Sequence, residues 1–292
     1  MEFIYKGESF LMKKIAWITD TAAQLDEAFI QKHNVYVLPL SVVFSDGSYR
    51  ESIDLTQEEF YDKLRVAKVS PKTSQPAIGE MLTLYEKLQS EGYDFAIAVH
   101  LSSGLSGTFE SAQSAAEMSD FKVYPIDSKI GSFPMVKMIE IGDELFAEGK
   151  DVEEVVATIQ GMTAKSHLSF IPSSLNQLHK SGRVSGTQTF LSNILNIKLV
   201  ITFVDGITVM KEKVRSNKRA KNNVVSALRA DMEAGTVPEV AVIHCNNAAD
   251  AEIWKNELMQ EFPTLKVQVV PLSVCVGVHA GEGTTGLSWV MY

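Results

Sequence analysis

The sequence predicts an α/β protein of two lobes. The first has a mostly parallel sheet flanked by helices, and the second is a smaller mixed α/β unit. Three observations predict it. From residue 13 to about 166, short apolar runs alternate with runs of helical period, the pattern of helices covering a parallel sheet. From residue 167 the rhythm changes to β-rich runs and shorter helices. There "KLVITFVDGITVMKEKV" sets Asp-Gly between two such runs, a hairpin signal. The lobes are therefore expected at 13–166 and 167–292, with residues 1–12 as an N-terminal extension. At 292 residues, 45% of them hydrophobic, the chain is long enough to give each lobe a core.

The elements follow in order. "KKIAWITD" (13–20) is an apolar run closed by polar residues, a buried strand. After a helix-like stretch, "VYVLPLSVVF" (35–44) is long and β-branched and reads as one strand ending at the turn "SDGS". "TQEEFYDKLRVAK" (56–68) opens with a capping box. In "KTSQPAIGEMLTLYEKLQSEGY" polar residues and a proline mark a helix beginning. The strand "FAIAVH" (95–100), a serine turn, a helix and the strand "KVYPID" (122–127) come next, then two helical stretches across 130–165. In the second lobe, "HLSFIP" is strand-like and two short helices lie around "LNQLHKSGRVSGTQTFLSNIL". The hairpin, a long helix (about 216–234), the strand "VAVIHC", a helix and the strand "KVQVVPL" complete it before a glycine-rich tail, "VGVHAGEGTTG".

Charge and composition exclude several roles. A net charge of −9 argues against nucleic acid, which needs a clustered basic face. The one basic run, "KEKVRSNKRAK" (211–221), reads as a solvated face. Cys245 and Cys275 form no CxxC and sit in apolar runs, as buried thiols of a reducing compartment do. No signal-peptide core and no run of membrane-helix length is present. A cytoplasmic protein without stable membrane insertion is expected.

Familiar catalytic templates fail. "GLSGT" (104–108) lacks the second glycine of a nucleophile elbow, since Thr108 stands in its place. The six histidines show no ligand spacing, so no metal is expected. "GEGTTG" has neither a P-loop lysine nor a strand-and-helix setting. What remains is a set of hydroxyl- and glycine-rich turns: "KTSQP", "SSGLSGT", "SGRVSG" and "VHAGEG". "HLSSGLSGTFESAQ" (100–113) joins a strand to a helix start, where free N–H groups favour an anion. Hydroxyls, free amides, an arginine and a histidine can hold a carboxylate or phosphate without reacting.

In order, "ITDTAAQL" (18–25), "VLPLSVVFSDGSYRESIDL" (37–55), "KTSQP" (72–76), "LSSGLSGTFESA" (101–112), "DSK" (127–129), "LHKSGRVSG" (178–186), "LNIKLVITFVDG" (195–206), "KVRSNKRA" (213–220) and "VHAGEGTTG" (278–286) resemble the DegV family of bacterial fatty-acid-binding proteins. The resemblance runs from about Lys13 to Gly286. It implies a two-lobed protein with an apolar tunnel and no cofactor, binding a long-chain fatty acid that a separate ATP-dependent fatty acid kinase phosphorylates to an acyl phosphate. By the same resemblance Thr73 and Ser106 hold the carboxylate, with Arg183 and His279 near that end and Ser74, Ser103, Gly104 and Gly107 in the head-group turns. Burying around fifteen methylenes, at roughly 0.8 kcal/mol each, supplies about 12 kcal/mol before ordering costs. The tail then provides affinity and the turns provide polarity, because a carboxylate without partners is costly to desolvate.

The chain departs from the family pattern at Ser181, where a glycine is usual, and at Glu282, where a proline is usual. Glu282 adds a negative charge near the expected carboxylate. Plain structural roles stand beside each functional one: helix caps for Thr73 and Ser106, packing for His279, a helix-end or surface contact for Arg183, and loop caps for Asp20 and Asp127. Two other functions stay open. One is a serine-dependent enzyme acting on an acylated or phosphorylated small molecule, with Ser106 as nucleophile and His279 as base. The other is an interaction module docking through 211–221.

Overall fold

The computed structural model of the protein describes residues 13–185 and 197–292. In chain order its elements begin with β1 (Ile15–Asp20), a single 3-10 turn (Thr21–Ala23), α1 (Glu27–His33), β2 (Val35–Leu38), β3 (Ser41–Phe44), β4 (Gly47–Arg50) and α2 (Gln57–Val66). There follow β5 (Lys72–Ser74), α3 (Ile78–Ser90), β6 (Phe95–His100), α4 (Thr108–Met118), β7 (Val123–Asp127), α5 (Phe133–Ala147) and α6 (Val152–Met162). The second half holds β8 (Ser166–Ile171), α7 (Leu175–Ser181), β9 (Val184–Ser185), β10 (Lys198–Val204), β11 (Ile207–Val214) and α8 (Asn217–Ala234). It ends with β12 (Glu239–His244), α9 (Ala248–Glu261), β13 (Lys266–Pro271), α10 (Val274–Ala280) and β14 (Thr285–Val290). The N-terminal extension and the second short helix read near 186–196 lie outside the described residues.

Three sheets organise the fold. β2-β1-β6-β7 form a parallel sheet. α3 and α4 cover one face over a cluster that includes Ile18, Met81, Tyr85 and Ala112. The other face meets α5 and α6. The order β13-β12-β14-β8-β10-β11-β9 makes a seven-stranded mixed sheet, with α8 and α9 packed on one side around Trp254 and Trp289. α5 lies between the two large sheets and touches β6 and β14. Its buried Met135, Met138 and Ile139 join a single core cluster that includes Trp17 and Ile97 from one sheet and Leu168 and Ile243 from the other. This is the mixed α/β class the alternation predicts.

Two predicted segments are built differently. Residues 35–44 do not form one strand, because Pro39 offers no N–H to a ladder and the chain turns there. β2 joins the parallel sheet, and β3 leaves it for a small antiparallel sheet, β4-β3-β5. β5 itself, too short to carry a β pattern, pairs Thr73 with Val42. The glycine-rich tail is also ordered: "VCVGVHA" is α10, and "TGLSWV" is a fully buried strand between β12 and β8. A side-chain carbon at Gly286 would collide with the Ser169 carbonyl of β8, so glycine there permits the close approach. Elsewhere local signals act as read. Thr56 and Glu59 form the capping box of α2, and the Asp205-Gly206 turn of the hairpin takes positive φ at both residues.

Candidate ligand-binding site

The serine turn is held in place by its neighbours. Ser103 donates through its N–H (3.1 Å) and its hydroxyl (2.6 Å) to the Asp127 carboxylate at the end of β7. Asp20, at the end of β1, accepts the Leu101 N–H at 2.9 Å and the Ala22 N–H at 3.0 Å, so both acids cap loops. The Ser102 hydroxyl donates to the Gly206 carbonyl at 2.6 Å, which brings the β10–β11 turn down onto residues 102–104. Gly104 sits under that carbonyl with no room for a side chain. α4 has Gly107 at its N-cap without a side-chain cap, and Ser106 Oγ sits beside it, 2.8 Å from Thr108 Oγ1 and 3.4 Å from the Thr108 N–H.

This turn forms one wall of a cavity of about 350 Å³, within the roughly 300–1,000 Å³ usual for small-molecule sites. Thr73 and Ser74 of β5 and Gln75 just after it line it, as do Ser103 to Gly107, Arg183 after α7, and His279 of α10. All eight residues named from the sequence thus border one space. The remaining lining is largely apolar: Ala22, Leu40, Leu168, Phe170, Leu178, Phe203, Leu272 and Val276.

Within the polar part, Thr73 Oγ1 and His279 Nε2 are 2.8 Å apart. His279 Nδ1 is buried without a hydrogen-bond partner among the described residues. An orphaned acceptor is tolerated better than an orphaned N–H, so the favoured tautomer carries its proton on Nε2 and donates it to Thr73. Burial, and then the Arg183 guanidinium, lower the His279 pKa to about 4, so the ring is neutral at pH 7. Arg183 is exposed; its Nη1 donates to the Ser181 carbonyl at 2.9 Å, and its Nε lies 3.5 Å from the Leu105 carbonyl. Ser181 hydrogen-bonds within its own turn, to the Leu178 carbonyl (2.6 Å) and from the Arg183 N–H (3.2 Å). The exposed Ser74 hydroxyl donates to the Gln75 carbonyl at 3.2 Å.

Sequence reasoning missed three features. Gln75 packs its amide against Gly107, where an added side-chain carbon would stand 3.1 Å from Nε2, so the Thr73 and Ser106 turns meet there. The apolar wall residues carry no signal that separates them from ordinary core. Glu282 does not stand as an unpaired charge: Arg65 at the end of α2 forms a two-pronged ion pair with it, and Asn246 Nδ2 donates to it at 2.7 Å. That pairing lowers the Glu282 pKa. Among the described residues no cluster of His, Cys, Asp or Glu could hold a metal ion, and no helix is long and apolar enough to cross a membrane. Cys245 and Cys275 are buried free thiols.

The family model described as "Uncharacterised protein, DegV family" matches residues 14–291. A DegV domain-containing protein of Halalkalibacterium halodurans is 34% identical over 279 residues, covering 95% of this chain and 99% of that protein. The crystal structure of DegV from Bacillus subtilis, described as a fatty acid binding protein, superposes with a TM-score of 0.86 at 32% identity, over 96% of this chain and 100% of that one. A fatty acid binding DegV family protein from Streptococcus agalactiae gives a TM-score of 0.89 at 30% identity, over 96% and 99%. With the whole fold matched and the family's turns gathered around one cavity, this chain belongs to the DegV family.

Proposed function

We propose that the protein binds a long-chain fatty acid in the cavity, with its carboxylate on Thr73 and Ser106, and presents it to a separate ATP-dependent fatty acid kinase. One observation carries the reading. Thr73 and Ser106 line the same cavity, and their turns meet at the Gln75–Gly107 contact, while the rest of the lining is mainly aliphatic and aromatic. With His279 Nε2–H donating to Thr73, the threonine's own proton is available to an anion. Ser106 has the matching position at the start of α4, beside that helix's first N–H groups. An exposed arginine at the rim adds positive potential. The fatty acids bound by the Bacillus and Streptococcus relatives fit the same division, an apolar body and an acidic end.

The serine-enzyme reading lacks its central contact. His279 Nε2 is engaged with Thr73, and Ser106 Oγ with Thr108, so nucleophile and base are not paired. A separate Ser-His-Asp grouping, Ser169, His167 and Asp231, is structural. His167 Nε2 lies 2.8 Å from Ser169 Oγ, but Ser169 is fully buried and donates to Thr202.

Native mass spectrometry of the protein equilibrated with one equivalent of oleate tests the binding. A one-to-one complex is expected in the wild type, strongly reduced in the Thr73→Val/Ser106→Ala double variant; a wild type that stays empty overturns the reading. For presentation, the kinase with ATP should form acyl phosphate only when this protein is added.

A further inference from the structure

Glu51 is a buried carboxylate that head-group binding does not use. It follows β4 and is 3% exposed. Its Oε2 accepts from the hydroxyls of Thr21 and Ser273, each at 2.7 Å. Its Oε1 accepts from the Val274 N–H at 2.8 Å and from Gln24 Nε2 at 3.1 Å. All four donors are neutral, and burial raises the Glu51 pKa against them. A charge kept in such a place is costly unless every acceptor position is filled.

The donors come from two elements that border the cavity, the turn at Ala22 and the start of the helix that carries Cys275 and Val276. Thr21 opens the turn that contains Ala22, and its hydroxyl also accepts the Leu40 N–H at 3.1 Å. The Glu51 N–H in turn donates to the Leu40 carbonyl at 2.8 Å. Ala22 and Leu40 are lining residues. Ser273 and Val274 begin α10, the helix that carries His279. α10 is only seven residues long, so its placement depends on contacts at its ends more than on its own cooperativity.

We propose that Glu51 is a positioning residue for head-group recognition: it pins the first turn of α10 to the Thr21 turn and so fixes where His279, and through it Thr73, meets a bound carboxylate. The proposal rests on the fatty-acid reading above, and its test separates the two. Competition against a fluorescent fatty acid gives affinities for palmitic acid and for hexadecanol, which share the tail and differ at the head. In Glu51→Ala the preference for the acid is expected to fall by at least about fivefold, roughly 1 kcal/mol, with hexadecanol affinity nearly unchanged. Glu51→Gln should restore the preference, because the Thr21 and Ser273 hydroxyls can turn to accept from the amide. Leu258→Ala, in the core under α9, should lower thermal stability without moving it.

Should Glu51→Ala fail to fold, Ser273→Ala carries the test, with at least about a twofold loss of preference expected. A folded Glu51→Ala or Ser273→Ala with the wild-type preference overturns the proposal. So does the same loss in Leu258→Ala, or no recovery in Glu51→Gln. A wild type that binds neither ligand instead removes the fatty-acid reading itself.

Discussion

Thr73 and His279 lie 206 positions apart in the chain and share one hydrogen bond. That makes the threonine hydroxyl more than a local cap. Replacing it with valine keeps the shape and removes the donor. A hydrogen bond to a charged group contributes about 1.5–3 kcal/mol, so palmitate affinity in Thr73→Val should fall about tenfold or more. Binding of hexadecanol, measured the same way, should change far less. The histidine ring gives a second check: NMR titration of its Cε1 proton should show a midpoint near 4, well below a free imidazole. That the hydroxyl- and glycine-rich turns gather around one cavity was legible in the sequence through the family order, which singled them out. Ser103 shows the limit of that reasoning. Its hydroxyl is directed at Asp127, and no sequence pattern distinguishes a serine that holds a turn from one that offers its proton to a ligand.

At the level of elements, the serine turn and the β10–β11 hairpin are fitted to each other through Gly104. A methyl group there would stand 2.5 Å from the Gly206 carbonyl oxygen and 2.9 Å from Ile207 Cγ2. Backbone cannot yield as a side-chain tip can, so Gly104→Ala should cost about 1–3 kcal/mol in urea unfolding. Gly79→Ala is the contrast: it lies in α3 with nothing within 4 Å of an added carbon, and should gain about 0.5–1 kcal/mol from helix propensity. The strands and helices of the parallel sheet were readable because burial on both faces makes such strands continuous apolar runs and gives the helices an apolar stripe. β5 and α10 were not. A three-residue strand shows no alternation, and "VCVGVHA" has a glycine and three β-branched residues, so its helix is set by what packs on it and not by its own preference.

For the whole molecule, the two large sheets share one core around α5, and stability should respond to pH through buried imidazoles. His167 and His279 each have a folded pKa of about 4, chiefly from burial, against 6.5 in the open chain. Between those values the unfolded chain binds protons that the folded one refuses, so stability falls as pH drops from 6.5 toward 4. Calorimetric melting temperatures across that range should decline in the wild type and decline less steeply in His167→Gln. The neutral His279 leaves Arg183 as the positive side chain among the described residues that line the cavity near pH 7, which the net charge of −9 conceals in the sequence.

The placement of β14 has a consequence for biosynthesis. This strand is inserted between β12 and β8, two elements that are made earlier and that it pairs with on either side. While the ribosome is still translating α10, the seven-stranded sheet has an open slot and two unsatisfied edges. A nascent chain stalled at that stage exposes them to other polypeptides, so the interval before β14 pairs is one in which this sheet needs chaperone cover.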